Sequence, residues 1–160
     1  MSYLIRISLS DQWLFLEDNG VVLKKYPISS GKNGIGEQYG SEKTPRGLHE
    51  VHSKFGANAP ANTVFVERKP TGEIYHPDLK ANFPNRDWIL TRILHLSGLE
   101  AGKNQGGDVD TYSRCIYIHG CPDETLMQIP GSRGCIRMRN HDIIELFDIV
   151  PEKTKVLLEE

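Results

Sequence analysis

The chain has 160 residues, of which 38% are hydrophobic and 25% charged, and its formal net charge is −2. That length suits one domain, residues 1–160, with a core of its own. The balanced charge carries no Lys/Arg cluster, so nothing points to nucleic acid or an anionic lipid surface as a partner.

Tyr3, Ile5, Ile7 and Leu9 alternate with polar or small residues, the period of a half-buried strand. Arg6 and Asp11 interrupt this stretch, so it does not read as a secretory signal. No apolar run approaches the roughly 20 residues of a membrane span. The expectation is a soluble monomer that carries no export signal in the sequence as given. Residues 13–17 and 21–26 flank the turn signal Asp18-Asn19-Gly20 and predict a β-hairpin. Residues 28–36 predict a loop, Thr44-Pro45-Arg46-Gly47 a turn, and residues 48–53 a return to alternation. Residues 56–61 and 70–86 read as long surface loops around a short strand at 63–67. Residues 88–96 predict a strand through the core, and 98–110 a glycine-rich loop. A short strand at 115–118 ends abruptly at His119-Gly120. One helix is predicted, capped by Asn140, with Ile143, Ile144, Phe147 and Val150 at helical spacing and Pro151 beyond it. Residues 155–158 read as a closing strand. The sum is a mainly β domain, a sandwich or a barrel, with one helix.

Acyl transfer by a thiol needs a nucleophile on a tight turn, a base in reach, a group that orients the base, and N–H groups for the oxyanion. Ile116-Tyr117-Ile118-His119-Gly120 would carry an imidazole from the core to a cleft, with Gly120 letting the chain turn. Gly131-Ser132-Arg133-Gly134-Cys135-Ile136-Arg137-Met138 places a thiol after a glycine that permits a sharp turn. That turn could aim the N–H groups around Cys135 at an oxyanion. Arg133 and Arg137 bring positive charge that favours a thiolate or binds a substrate carboxylate. Taken singly, each feature has a structural explanation: a lone histidine after a strand is commonly hydrogen-bonded in place, and a Gly-Cys pair is commonly a turn and a packed thiol.

The order His-Gly, a short insert, then Ser-x-Gly-Cys-Ile-Arg-Met resembles the L,D-transpeptidases with the YkuD-type catalytic domain. Pro27-Ile28-Ser29-Ser30-Gly31-Lys32, Thr44-Pro45-Arg46-Gly47 and the helix from Asn140 to Val150 are similar to further family segments, so the resemblance covers nearly the whole chain. It implies a β-sandwich with mixed sheets and one helix beside the active site. It implies attack by Cys135 on an amide of a peptidoglycan stem peptide, loss of the terminal D-residue, and transfer of the thioester to an amine of a second stem in a 3-3 crosslink. His119 would be the base, the carbonyl of Gly120 its orienting group, and Ser132, Arg133, Gly134 and Arg137 residues that shape the site or meet substrate. No metal or cofactor is implied, carbapenem-type inhibitors are expected to acylate the thiol, and the periplasm or cell envelope is the expected location. Without an export signal, a cytoplasmic enzyme trimming recycled wall peptides stays open.

Two departures matter. Arg133 stands where the family usually has histidine, and Cys121 where it commonly has Thr or Ser. Cys121 and Cys135 would form a disulfide if their Cα atoms lay within about 7 Å. Three other readings stay open. Water in place of the acceptor amine gives an L,D-carboxypeptidase. His119, Cys121, Cys135 and His141 are types that bind zinc, though without a paired Cys-x-x-Cys knuckle. The departures could also mark a non-catalytic muropeptide-binding module.

Overall fold

A computed structural model describes residues 2–160. Its chain runs β1 (Tyr3–Ser8), β2 (Trp13–Asp18), β3 (Val21–Ser29), β4 (Gly47–Phe55), β5 (Thr63–Val66), β6 (Lys69–Ile74), α1 (Pro77–Asn82), β7 (Ile89–Gly98), β8 (Tyr117–Gly120), β9 (Ile136–Met138), α2 (Asn140–Ile149) and β10 (Lys155–Glu159). The β2–β3 hairpin forms as its turn signal predicts, with Asn19 at φ 51° and Gly20 at φ 82°.

The strands follow the order β4-β10-β1-β2-β3-β9-β8-β7-β5-β6, and β4 also pairs with β7. That second pairing closes 8 strands into a barrel-like ring, from which β5 and β6 extend as a flap. The expectation of a mainly β fold holds, but the two-sheet sandwich is replaced by this closed sheet. Alternation fixes which side chains face inward; it does not say that β4 has a partner on each edge. Most pairs are antiparallel; β1–β10 and β8–β9 are parallel.

The barrel is filled by Ile5, Ile7, Leu14, Leu16, Ile28, Leu94, Leu96, Ile118, Ile136 and Met138, all fully buried. Successive side chains on a strand point to opposite faces. Tyr117, His119 and Ile93 therefore stand on the outer face, where Phe65 of the flap packs against Ile93 and Tyr117. A neighbouring cluster of Val64, Tyr75, Trp88 and Leu90 continues this outer layer.

Three local expectations shift. Residues 70–86 hold an edge strand and the short α1 rather than loop alone; Pro70 is tolerated because an edge strand need not donate on both sides. The strand expected at 115–118 begins at Tyr117 and runs through Gly120, because Cys115 takes φ 57°. Asn140 is the first residue of α2 rather than its cap; Arg139 holds the cap position with no side-chain bond. The Asn140 amide has other partners: it accepts from Thr91 Oγ1 (2.5 Å) and donates to Asn62 Oδ1 (2.9 Å) and Asp123 Oδ1 (3.1 Å).

Candidate active site

The parallel pairing of β8 with β9 sets Ile118 opposite Ile136 and His119 opposite Arg137. One step back, Tyr117 stands beside Cys135, and the Tyr117 N–H donates to Cys135 Sγ at 3.2 Å. Residues two apart on a strand share a face, about 6.6 Å from one another. The thiol of Cys135 and the imidazole of His119 thus lie on the outer face of the barrel, one strand repeat apart.

His119 is fully buried. Its Nδ1 lies 2.6 Å from the carbonyl oxygen of Gly120, its own neighbour in the chain. A carbonyl oxygen only accepts, so Nδ1 carries the hydrogen and Nε2 presents a lone pair in the neutral ring. Nε2 is buried and has no hydrogen-bond partner. Burial lowers the pKa of His119, opposed by the charge of Asp87 and the bond to Gly120. Burial pushes the Cys135 thiol up to about 12, against the Tyr117 N–H and the charge of Arg137. The resting pair is a neutral thiol and a neutral imidazole.

Gly120 is required here by contact. A Cβ on it would stand 2.4 Å from Asn140 Oδ1 and 2.7 Å from the Leu90 carbonyl. A register shift in β7 beyond Leu90, with Thr91 at φ 77°, turns the Thr91 hydroxyl to Asn140. A β-branched residue with positive φ is a true outlier, and it is held at the site.

The segment before β9 is a built turn. Ser132 Oγ donates to the Cys135 carbonyl at 2.5 Å and accepts from Gly134 N–H at 3.1 Å. Gly134 has φ 122°. Thr44 Oγ1 donates to the Gly134 carbonyl (2.9 Å) and accepts from Gly31 N–H (2.8 Å). Lys32 N–H donates to the Ser132 carbonyl, while the N–H groups of Gly131 and Ser132 donate to the Ser30 carbonyl. The 27–32 and 44–47 segments are thus the clamp on the cysteine turn. The Gly134 N–H is committed to Ser132 within this turn.

The two arginines part company. Arg137 Nη1 donates to the Gly131 carbonyl (3.0 Å), and Nη2 lies 3.7 Å from Asp87. Arg137 borders a cleft of about 330 Å³ with Ser29, Lys80, Glu124 and Gly131. Arg133 is exposed, donates from Nη2 to the Asn85 carbonyl (2.7 Å), and borders a separate cleft of about 270 Å³ with Glu42, Arg114 and Cys115. Residues next to Cys135 border both openings, Arg133 the one and Gly131 and Arg137 the other, while Cys135 and His119 line neither. A further cavity of about 750 Å³ beside Arg46, Glu100 and Glu160 is lined by none of these side chains.

Cys121 is not beside Cys135. Its buried thiol donates to the Met138 carbonyl at 3.2 Å, three residues further along β9, or about 10 Å. The thiol on the cleft is instead the exposed Cys115, whose carbonyl accepts from Cys135 Sγ at 3.4 Å. His141 is 79% exposed on α2 and turned to Asp142. Among the described residues no group of three or more His, Cys, Asp or Glu side chains could hold a metal ion. Asp87, 3.7 Å from Arg137 Nη2, and Arg68, whose Nη1 reaches the Tyr117 hydroxyl at 3.0 Å, belong to no short motif. They become neighbours only through pairing of distant strands.

The fold and site define a barrel-like β domain with a thiol and an imidazole on adjacent parallel strands. A family model of the L,D-transpeptidase catalytic domain, YkuD, matches residues 2–158, and the chain belongs to that family. The chain is 28% identical over 161 residues to an L,D-transpeptidase-family relative, YkuD of Bacillus subtilis, covering 98% of this chain and 65% of that protein. It is 30% identical over 141 residues to the family relative ErfK/SrfK of Salmonella typhimurium, covering 86% of this chain and 41% of that one. The chain thus spans less than two thirds of the curated relatives it matches. Among solved structures, L,D-transpeptidase 3 of Mycobacterium tuberculosis shares the fold with a TM-score of 0.61 at 16% identity, over 99% of this chain and 61% of that one. The transpeptidase LdtMt1, solved in complex with imipenem, shares it with a TM-score of 0.60 at 20% identity, over 99% and 59%. No helix among the described residues is long and apolar enough to cross a membrane.

Proposed function

We propose that the chain is a cysteine acyltransferase acting on peptidoglycan stem peptides of the cell envelope and forming 3-3 crosslinks. The observation that carries this reading is the His119 imidazole, with Nδ1 fixed on the Gly120 carbonyl and Nε2 buried without a partner on the face it shares with Cys135. His95 Nδ1 is also buried without a partner, so what sets His119 apart is the Cys135 thiol on the face its free nitrogen shares.

When substrate arrives, Nε2 takes the Cys135 proton as the sulfur attacks the carbonyl carbon of the scissile amide. The Tyr117 N–H supports negative charge on the sulfur. Collapse of the tetrahedral intermediate returns that proton from His119 to the leaving amine, and a thioester remains. An amine of a second stem then attacks the thioester, gives a proton to His119, and releases the thiol.

Incubation with stem tetrapeptide muropeptides tests this directly. Crosslinked dimer is expected. Tripeptide alone would make the chain an L,D-carboxypeptidase working through the same acyl-enzyme. The imipenem complex of LdtMt1 motivates a second assay, a carbapenem adduct on Cys135 read by mass spectrometry. Folded, reduced protein that gave neither product nor adduct would be a binding module.

A further inference from the structure

The β5–β6 turn is an unusual piece of backbone. Glu67 (φ 50°) and Arg68 (φ 65°) link Val66 to Lys69 with both residues at positive φ. Two-residue turns of this kind favour Asn and Gly, because larger side chains rarely adopt the conformation. Strain of this sort persists where the surroundings hold it, and it often marks a working side chain.

Arg68 is held at such a place. Its Nη1 donates to the Tyr117 hydroxyl at 3.0 Å and lies 3.8 Å from Cys115 Sγ. Tyr117 and Cys115 are also the residues that touch the Cys135 sulfur, one through its N–H and the other through its carbonyl. A guanidinium has five N–H donors, and the contacts of Arg68 use one nitrogen. Neither Arg68 nor Arg133 has a carboxylate partner among the described residues, whereas Arg6, Arg46, Arg86 and Arg137 each have one. Arg133 stands two residues before Cys135 and borders the 270 Å³ cleft that Cys115 also borders. Arg114 and Arg133 on that cleft outnumber its one carboxylate, Glu42.

Resting on the assignment of Cys135 as nucleophile, we propose that Arg68 and Arg133 together receive the free α-carboxylate of the residue that leaves during acylation. The thiol would then act on amides one residue from a carboxyl terminus. The carboxylate departs with the leaving amine unchanged, and the arginines transfer no proton. A planar guanidinium suits a carboxylate better than an ammonium does, because it offers two parallel N–H donors.

Two measurements test this. The first compares a stem tetrapeptide bearing a C-terminal acid with its primary amide. The wild type should prefer the acid by at least about tenfold in kcat/KM, since a charge-assisted hydrogen bond contributes about that much. Arg68→Gln and Arg133→Gln should each lower kcat/KM on the acid by about 10- to 100-fold and leave the amide within about twofold. Arg68→Lys should fall between wild type and Arg68→Gln. The second compares alkylation of Cys135 by iodoacetate and by iodoacetamide. Their rate ratio in folded wild type should exceed that in denatured protein, and the Gln variants should remove the excess. A wild type indifferent to the terminal carboxylate overturns the proposal whatever the variants do, as does an equal loss on acid and amide, the mark of a structural role. A Cys135 that forms no carbapenem adduct in folded, reduced protein removes the nucleophile assignment itself. An alkylated Cys135 with no acid preference removes only the arginine receptor.

Discussion

Cys135 and His119 show how little two residue types mean until their neighbours are known. A buried imidazole with Nδ1 on a carbonyl can only offer Nε2 as an acceptor. In the proposed mechanism His119→Ala therefore lowers turnover by about 10²- to 10⁴-fold, the usual loss for a general base, while Cys135→Ser ends acylation. Cys121→Ser should keep activity, because that thiol is bonded to the Met138 carbonyl away from the cleft. Muropeptide turnover by the three variants, each checked for folding by circular dichroism, separates these roles. The protonation states predict a pH signature as well. With the thiol pushed up to about 12, alkylation of substrate-free protein by iodoacetamide should keep rising above pH 9, where an ordinary thiol levels off. A plateau near pH 8.5 would mean a thiol that is not held in its neutral form. At this scale the sequence was informative: the His-Gly and Gly-Cys pairs name the thiol and imidazole. Arg68 was invisible, since nothing local links the Glu67-Arg68 turn to Cys115 or Tyr117.

Elements explain why the motif residues are what they are. Gly120 lies against Asn140 and the Leu90 carbonyl where β8, β7 and α2 meet. Gly120→Ala should cost about 1–3 kcal/mol in urea denaturation, the range for overpacking a tight site, and should displace the carbonyl that orients His119. An unchanged urea midpoint would show that the strands part easily there. At the β5–β6 turn the expectation runs the other way. Glu67→Asn with Arg68→Gly relieves two positive-φ positions and should raise stability by about 1 kcal/mol, while the preference for a terminal carboxylate disappears. Chemical denaturation and the acid-to-amide rate ratio, measured on the same preparation, check both halves. Periodicity predicted most strands and the long helix. It passed over β6, whose exposed edge residues carry little alternation, and β9, which is three residues long. The use of Asn140 was hidden because capping is a local habit, and this amide is bonded to residues 17, 49 and 78 positions away in sequence.

Over the whole molecule, several histidines are buried and neutral. Burial lowers His49 to about 4, with Nδ1 on the Gly47 carbonyl (2.9 Å) and Nε2 on Thr111 Oγ1 (2.8 Å). His95 and His119 are lowered for the same reason. In each case the unfolded chain binds a proton near pH 6.5 that the folded chain binds only at lower pH. Stability is therefore fully present above pH 6.5 and is lost as pH falls toward 4. Thermal melts across that window should show the decline, and His49→Gln should flatten part of it. A melting temperature constant from pH 7 to pH 4 would contradict the assignment.

What the sequence determined by itself was the mainly β character, the hairpin at Asp18-Asn19-Gly20, the long helix, and the two segments that carry the thiol and imidazole. These depend on short-range facts: alternation, turn preference, helical spacing and adjacency to glycine. The tertiary structure decided that the sheet closes through β4 and β7, and that Cys115 rather than Cys121 stands beside Cys135. It also decided that Arg137 is tied to Asp87 and Gly131, while Arg133 borders the cleft beside Cys115 and Arg68 reaches the Tyr117 hydroxyl, neither with a carboxylate partner among the described residues. The physical reason is the same in each case. Strand partners are chosen by burial and hydrogen bonding summed over the whole sheet, and a single strand's sequence records which face it buries but not against whom.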